Sequence, residues 1–234
     1  MLRLSLLLST LLLLGACGQA PVQENTPSIE TLPEPEKYSV IFGGTEVGDL
    51  TVTFSEQRMA IDFGFENNGR GASSQESLTL DANMLPVEWT ITGKTTFGNA
   101  IDESFVLENG QAQWRAAAGE GQATVKTPSV YVAQNASPYS LYLIAQAILN
   151  NGGEALPALP GGTVALSALQ PLQLQHSAGM TDAQVYALKG IQLDPSYLVL
   201  GEDNQFIATM SARFALVRDG FQGEEQRLRD VAAT

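Results

Sequence analysis

Residues 137–162, SPYSLYLIAQAILNNGGEALPALPGG, contain the longest apolar helical pattern in the sequence after the first residues. Ser137 is a favourable N-cap, and Pro138 suits the first helical position, where its missing N–H removes no hydrogen bond. Asn151, followed by two glycines, supplies a left-handed stop. The intervening residues carry no charge, and apolar side chains fall on every face, which is typical of a buried helix. The pattern therefore predicts a buried central helix over residues 138–151.

On both sides of this helix the sequence has the alternating pattern of β-strands. Apolar residues recur at every second position through much of residues 37–134 and again through residues 163–217. Asn109-Gly110 between two such runs is the strongest short signal for a hairpin. We therefore expect a mainly β fold: a curved antiparallel sheet, or a partly open β-barrel or sandwich, packed around the one central helix.

Three features of the second half predict further details. Residues 205–217 alternate over an unusually long stretch and predict one long strand that crosses the helix. Residues 156–162, LPALPGG, predict a rigid apolar connector. From residue 221 the chain becomes charged with a helical pattern, and it predicts a C-terminal helix or linker leading toward a following domain.

The N-terminus has the pattern of an export signal. Arg3 precedes a largely apolar run over residues 4–14, which is too short to span a membrane. Residues 14–17, Leu-Gly-Ala-Cys, resemble the lipobox of bacterial lipoproteins. This resemblance implies cleavage before Cys17, diacylglycerol on its thiol, and a lipid-anchored location in the bacterial cell envelope, facing the periplasm or the outside. The alternative is an ordinary signal peptide with a chance cysteine.

These patterns divide the chain into four parts. A Pro- and Glu-rich composition that cannot bury a core predicts a flexible tether after the cysteine. The parts are a lipoprotein signal peptide (1–16), the acylated Cys17 with its tether (17–36), a single β-rich domain (37–220) and the charged C-terminal segment (221–234).

The charge of the chain limits its partners. The net charge is −13 at pH 7, and loss of residues 1–16 would make it −14, because Arg3 is the only charged residue removed. An acidic surface argues against nucleic acid and against anionic lipid headgroups as partners. The predicted contact with the membrane is therefore the lipid on Cys17.

The sequence lacks the common catalytic motifs. His176 is the only histidine, so two or three histidines of one chain cannot form a zinc site here. There is no HxH, HExxH or GxSxG motif and no Gly-rich phosphate loop. Ser177 and Asp182 lie near His176 in sequence, but a Ser–His–Asp relay depends on closeness in space. We predict no catalytic residue, no metal ligand and no cofactor.

Two other sets of residues have side chains that suit a site. The acidic pairs at 102–103 and 224–225 are expected on solvated faces. Four aromatic residues are candidates to line an apolar ligand cavity between sheet and helix, with core packing as the alternative: Trp89, Trp114, Tyr139 and Tyr142.

Several segments together resemble a known domain. They are NNGRG at 67–71, the segment at 78–98, the hairpin at 105–114 and ALPALPGG at 155–162. The chain is similar to the N-terminal β domain that precedes the metal-dependent barrel in some exported bacterial amidohydrolase-family proteins. The activity of that family belongs to the barrel, whose HxH and further metal ligands have no counterpart here.

Two functional hypotheses follow from these observations. The first is a non-catalytic, lipid-anchored β domain that holds or shapes a hydrolase domain absent from this chain. The alternative is a periplasmic lipoprotein that binds or carries an apolar ligand between curved sheet and helix. The least favoured hypothesis is that this chain is an enzyme by itself. If the chain is part of a longer protein, the resemblance implies that the longer protein is a metal-dependent amidohydrolase.

The lipobox resemblance predicts the mature N-terminus. Mass spectrometry of the mature protein should show loss of residues 1–16 and the added mass of acyl chains on Cys17. Because a thiol is needed for the thioether, Cys17→Ser should release the protein from the membrane fraction. An unchanged membrane fraction for this variant would contradict lipidation.

Overall fold

The structure is a computed structural model that describes residues 32–55 and 58–233. A single sheet of 15 strands contains most of these residues. Cys17, the predicted signal peptide and most of the predicted tether lie outside the described residues. In chain order the strands are β1 (Glu36–Phe42), β2 (Thr45–Phe54), β3 (Met59–Phe65), β4 (Ser73–Leu80), β5 (Pro86–Lys94), β6 (Ala100–Glu108), β7 (Gln111–Ala116), β8 (Gly119–Thr124), β9 (Val130–Tyr131), β10 (Leu156–Leu159), β11 (Thr163–His176), β12 (Gly179–Lys189), β13 (Ser196–Leu200), β14 (Phe206–Met210) and β15 (Phe214–Arg218). Helix α1 (Ser140–Asn150) lies between β9 and β10, and α2 (Glu225–Ala232) follows β15.

The sheet is two meanders joined at the middle. Its order is β8-β7-β6-β5-β4-β3-β2-β1-β15-β14-β13-β12-β11-β10-β9, so that β1 and β15 meet at the centre. These two strands pair antiparallel, with Tyr38 opposite Arg218 and Phe42 opposite Phe214. Only β9 and β10 pair in parallel among the described strands. The predicted curved, open and mainly antiparallel sheet is confirmed, as are the buried helix and the C-terminal helix.

The sheet curls until its last strand meets its inner face. The Tyr131 ring of β9 stacks on Phe105 of β6 at 4.4 Å between ring centroids. It also contacts Trp89 of β5 at 6.3 Å and Trp114 of β7 at 6.5 Å. The two edge strands are not neighbours in the ladder, so these aromatic side chains close the fold in place of backbone hydrogen bonds.

Helix α1 fills the space inside this curve. Leu143, Ile144, Ala147 and Ile148 are all buried, which agrees with the uncharged pattern of the segment. The described part of the chain has no helix long and apolar enough to cross a membrane.

The ends of α1 agree only in part with the prediction. Gly152 and Gly153 adopt positive φ angles of 84° and 79°, as expected for a left-handed stop. At the start, the N-cap is Tyr139 and not Ser137. The Ser140 N–H donates to the Ser137 carbonyl at 3.0 Å and closes a turn over Pro138 and Tyr139 before the helix begins. The Ser137 N–H donates to a buried carboxylate.

The long strand predicted over residues 205–217 is wrong. The segment forms two strands, β14 and β15, joined by a turn in which the Ser211 N–H donates to the Phe214 carbonyl at 2.8 Å. The apolar residues keep even positions on both sides of the turn, although Met210 is opposite Ala215 and so lies on the other face of the sheet from Phe214. Because the period-two pattern of the sequence continues unbroken through this hairpin, the pattern cannot reveal the turn.

Two further strands were not predicted. The expected connector at residues 156–162 contains β10, which pairs with β9 on one side and β11 on the other. Strand β8, GEGQAT, lacks the β-branched and aromatic residues that favour strands, and it lies at the sheet edge. Strand β1 begins at Glu36, which the sequence places in the tether.

The C-terminal helix covers the outer face of the sheet. Leu228 of α2 and Phe221 before it are buried with Ile41, Val199 and Val217 in a second apolar cluster. The central strands are therefore buried on both faces, which explains why all five residues of β14 are buried.

The buried helix predicts a clear stability difference between two positions. Ile148→Ala removes a fully buried side chain and should lower the free energy of unfolding by about 2–5 kcal/mol, as should Leu143→Ala. Leu193→Ala is the control, because Leu193 is 99% exposed and its loss should leave stability nearly unchanged. Urea unfolding measures all three. Losses under about 0.5 kcal/mol at both helix positions would contradict the buried placement.

Candidate functional site

One end of the sheet, which we call the mouth, gathers most of the features that bear on function. The strand register brings together the turns after β1, β3, β5, β12 and β14: Phe42 is opposite Phe214, Gly64 opposite Ser73, and Leu188 opposite Ser196. Residues 133–139, which lead from β9 into α1, lie inside the curve close to this end.

Glu103 is the main support of this inner loop. Its carboxylate is buried and accepts four hydrogen bonds, from the Tyr131 hydroxyl at 2.8 Å, the Gln134 N–H at 2.8 Å, and the backbone and side-chain nitrogens of Asn135 at 3.0 and 3.1 Å. A carboxylate can be buried at acceptable cost only when it is hydrogen-bonded in this way. The loop is therefore fixed to β6 by its own backbone.

Glu76 supports the next part of the same loop. It accepts hydrogen bonds from the Ser137 N–H at 2.5 Å and the Trp89 indole N–H at 3.1 Å. Burial raises the pKa of the Glu76 carboxyl above its ordinary value, and the hydrogen bonds from Ser137 and Trp89 act in the opposite direction. Glu76 is opposite Ile91, and Ile91 is opposite Glu103, so both carboxylates point inward from one row of the sheet.

The expectation that the acidic pair at 102–103 is solvated is half wrong. Asp102 is exposed and pairs with Arg115 at 2.7 Å, but Glu103 is only 2% exposed. The alternation of β6 carried this information, because Glu103 has the same parity as the buried Phe105. The pair at 224–225 is also not wholly solvated, since Glu225 is buried and paired with Arg229.

A cleft of about 800 Å³ lies beside this fixed loop. One wall is the loop with the start of α1, including Ala136 and Leu141; the other walls are the loop after β12 and the turn after β14. Ile191 and Phe214 add partly buried apolar surface. Polar groups, among them the Ser140 side chain, are interspersed along the lining.

A row of phenylalanines continues the apolar surface across the mouth. Phe42 lies 5.6 Å from Phe214 and 6.0 Å from Phe65, which in turn lies 6.0 Å from Phe63. All four rings belong to inward-facing positions of β1, β3 and β15 and are only partly buried. Their spacing is that of a contacting aromatic cluster. Part of the core is thus accessible from the mouth.

The four aromatic residues predicted to line a cavity form two separate groups of ring contacts. Trp89 and Trp114 belong to the closing cluster around Tyr131. Tyr139, the N-cap of α1, and Tyr142, in its first turn, contact one another at 5.2 Å. Trp89 and Tyr139 are buried, in agreement with core packing for those two. A ligand contact for any of the four stays a prediction.

A polar network anchors Tyr139 to both halves of the sheet. The Tyr139 and Tyr38 hydroxyls donate to Glu36 at 3.0 and 2.7 Å, and Arg218 forms an ion pair with Glu36 at 3.1 Å. Burial, together with the charge of Glu36, raises the pKa of Tyr142 to about 12. The Tyr38 and Tyr139 phenols thus hold the helix start to Glu36 of β1, and the ion pair with Arg218 links this group to β15.

His176 lies away from the cleft. Its ring contacts Phe221 at 4.6 Å, and its Nδ1 accepts a hydrogen bond from the Ala178 N–H at 3.2 Å. Asp182 pairs with Gln173 and not with His176, so these residues do not form a relay. Within residues 32–55 and 58–233, no group of three or more His, Cys, Asp or Glu side chains is arranged to hold a metal ion.

Comparisons with known proteins show similarity of fold at most. No family model and no curated protein matches the chain. A solved β-barrel-like protein of the domain of unknown function DUF1849 from Brucella abortus is 11% identical, with 80% of this chain and 94% of that chain covered and a TM-score of 0.45. A DUF1089 family protein from Pseudomonas aeruginosa is 12% identical, with 69% and 86% covered and a TM-score of 0.36. The predicted relationship to amidohydrolase N-terminal domains stays a prediction.

The hydrogen bonds of Glu103 predict a large effect from a small change. Glu103→Gln places an amide NH₂ against N–H and O–H donors, so buried donors lose their acceptor, and unfolding should become easier by at least about 2 kcal/mol. Asp102→Asn is the matched control on the exposed face and should leave stability nearly unchanged. Urea unfolding of the two variants tests this, and equal losses would contradict a special role for Glu103.

Proposed function

We propose that the protein is a non-catalytic lipoprotein of the bacterial envelope that binds an apolar or amphipathic ligand, such as an acyl chain, in the cleft beside α1. The observation that carries this proposal is a cleft of about 800 Å³ with accessible core side chains at the mouth of a curved sheet. Small-molecule sites generally have volumes of about 300–1,000 Å³ and a mainly apolar lining with a few polar groups. This cleft lies in that range of volume, and its lining is more polar, with Gln192 and Asp194 among its residues.

The lining suits a ligand with an apolar chain and a small polar end. Leu141, Ile191 and Phe214 offer apolar surface that is neither fully buried nor fully solvated. The Ser140 side chain, at the start of α1, offers a hydroxyl at the same rim. Burying an acyl chain on such a surface is favourable by about 0.8 kcal/mol for each methylene group.

The wall of the cleft is already ordered before a ligand binds. Three hydrogen bonds from Gln134 and Asn135 to Glu103, together with the Ser137 N–H bond to Glu76, hold residues 134–137 in place. A preformed wall lowers the ordering cost that binding must otherwise overcome. This supports a binding role more than a role in which the loop refolds around a partner.

The accessory role beside a hydrolase domain stays a prediction from the sequence. Such a role would act through the outer surfaces and would not need an accessible cleft. No contact or charge in the described residues favours it over ligand binding.

A matched pair of substitutions tests the proposal. Leu141→Glu puts a charge into the cleft, at a helix-start position that tolerates an acidic side chain, so folding should be preserved. Leu169→Glu makes the same change at a 45% exposed position of β11 outside the cleft. We would titrate both with a fluorescent fatty acid in solution.

We expect the wild type and Leu169→Glu to bind alike and Leu141→Glu to bind at least about tenfold more weakly, because a buried carboxylate would lose its hydration. Circular dichroism checks that both variants fold. Absence of saturable binding by the wild type, or equal binding by both variants, would contradict the proposed cleft.

A further inference from the structure

We propose that the mouth of the sheet docks directly on the surface of a lipid bilayer containing anionic phospholipid, in addition to any lipid anchor. The first observation is two exposed apolar loop tips. Phe97, between β5 and β6, is 82% exposed, and Leu193, between β12 and β13, is 99% exposed. Single exposed apolar residues are common, but two large ones at the tips of turns on the same end of a sheet form a pattern of their own.

The register places both tips at the mouth. Lys94 is opposite Ala100, so the turn containing Phe97 closes β5 and β6 at the end where β4 begins. Leu188 is opposite Ser196, so the loop containing Leu193 closes β12 and β13 at the same end. The two tips lie at the end that also carries the partly buried phenylalanine row.

The unpaired cations provide the second observation. Five arginines of the described residues form ion pairs. The lysines and arginines of the described chain that form none are Lys37, Arg70, Lys94, Lys126, Lys189 and Arg213. Four of these lie at the mouth, all exposed, whereas Lys37 and Lys126 lie at the opposite end.

The charge of the mouth therefore differs from that of the whole chain. The turns and strand ends of the mouth also hold five acidic residues that form no ion pair, against four cations, so this end carries about one net negative charge, while the chain as a whole carries −13. These five are Glu46, Asp49, Glu66, Glu120 and Asp194. An anionic surface repels the remainder of the molecule and so favours an orientation with the mouth toward it. The overall acidity, which argues against anionic headgroups, does not apply to this end.

The two kinds of residue suit the two layers of a membrane interface. Apolar tips such as Phe97 and Leu193 enter the boundary between headgroups and acyl chains, as the apolar face of an interfacial helix does. Lysine and arginine at the same level contact lipid phosphates. This occupant explains both features, whereas an apolar protein partner would explain the tips but not the unpaired cations.

The predicted anchor permits this orientation, although β1 begins at the opposite end. Between Cys17 and Glu36 the chain advances 19 residues, which reach up to about 63 Å when extended. The longest strand, β11, has 14 residues and a length of about 46 Å. The greatest span of the predicted tether is thus longer than β11, so a chain anchored at Cys17 would allow the mouth to reach the bilayer. Docking in this way would bring the entrance of the cleft to the bilayer.

The test uses the chain from residue 17 onward with Cys17→Ser, because acyl chains would hide weaker binding. Vesicles of phosphatidylethanolamine and phosphatidylglycerol in equal parts are sedimented with the protein, and vesicles of phosphatidylcholine alone serve for comparison. Binding is measured at about 0.05 M and about 0.5 M salt, where screening of charges differs strongly.

Two pairs of double variants distinguish the mouth from the rest of the surface. Phe97→Ser with Leu193→Ser removes the tips, and Met180→Ser with Leu169→Ser removes two exposed apolar side chains elsewhere. In the second pair, the test variant is Lys94→Gln with Lys189→Gln, which removes two lysines at the mouth. Its control is Lys37→Gln with Lys126→Gln, which removes two lysines at the opposite end. We expect each mouth variant to bind anionic vesicles about tenfold more weakly at low salt and each control to bind like the parent.

Three outcomes would overturn docking. The first is that the parent protein does not bind anionic vesicles, and the second is that mouth variants and controls lose equal amounts of vesicle binding. The third is that the parent forms a dimer, binds no vesicles, and becomes monomeric in the tip variant. That result would make the mouth a contact between copies of the chain. The fatty-acid titration keeps the two proposals separate. Leu141→Glu should still bind vesicles, and the tip variant should still bind the fatty acid in solution.

Discussion

The arrangement of the interior depends on two carboxylates placed where apolar side chains would be expected. Glu76 and Glu103 point from one row of the sheet into the core and accept the N–H groups of the loop before α1. A loop inside a curved sheet has backbone groups that no strand can satisfy, and leaving them unpaired would be costly. The carboxylates satisfy them, so the loop, the helix start and one wall of the cleft are fixed together.

The sequence predicted the elements with strong local signals. The buried helix followed from an uncharged run ended by Gly152 and Gly153, and the mainly β fold followed from alternation. It did not predict the break between β14 and β15, because the apolar alternation of the sequence continues through the turn although the side chains change face there. The N-cap was misplaced for another reason: a turn over Pro138 and Tyr139, closed by the Ser140 N–H on the Ser137 carbonyl, precedes the helix, and the apolar pattern does not mark it.

The candidate site was less predictable, because its members are distant in the chain. Glu103 meets Tyr131 only once the sheet has curled, and the predicted pair at 102–103 divides between two faces. Parity within β6 marks Glu103 as inward, but it does not indicate the loop that needs the carboxylate. The cleft likewise joins Leu141 to Phe214, and no local pattern relates these two positions.

The central pairing of β1 with β15 has a consequence for how the chain acquires its structure. Tyr38 and Arg218 are 180 residues apart, whereas most other strand pairs are neighbouring hairpins that form locally. Contacts of such large sequence separation form slowly. Until β15 is in place, each meander has an open edge, at β1 and at β14, that is able to pair with another chain. Strand β15, the last of the described strands along the chain, thus both completes the sheet and removes these two open edges, so the folding chain is most vulnerable to aggregation just before that step.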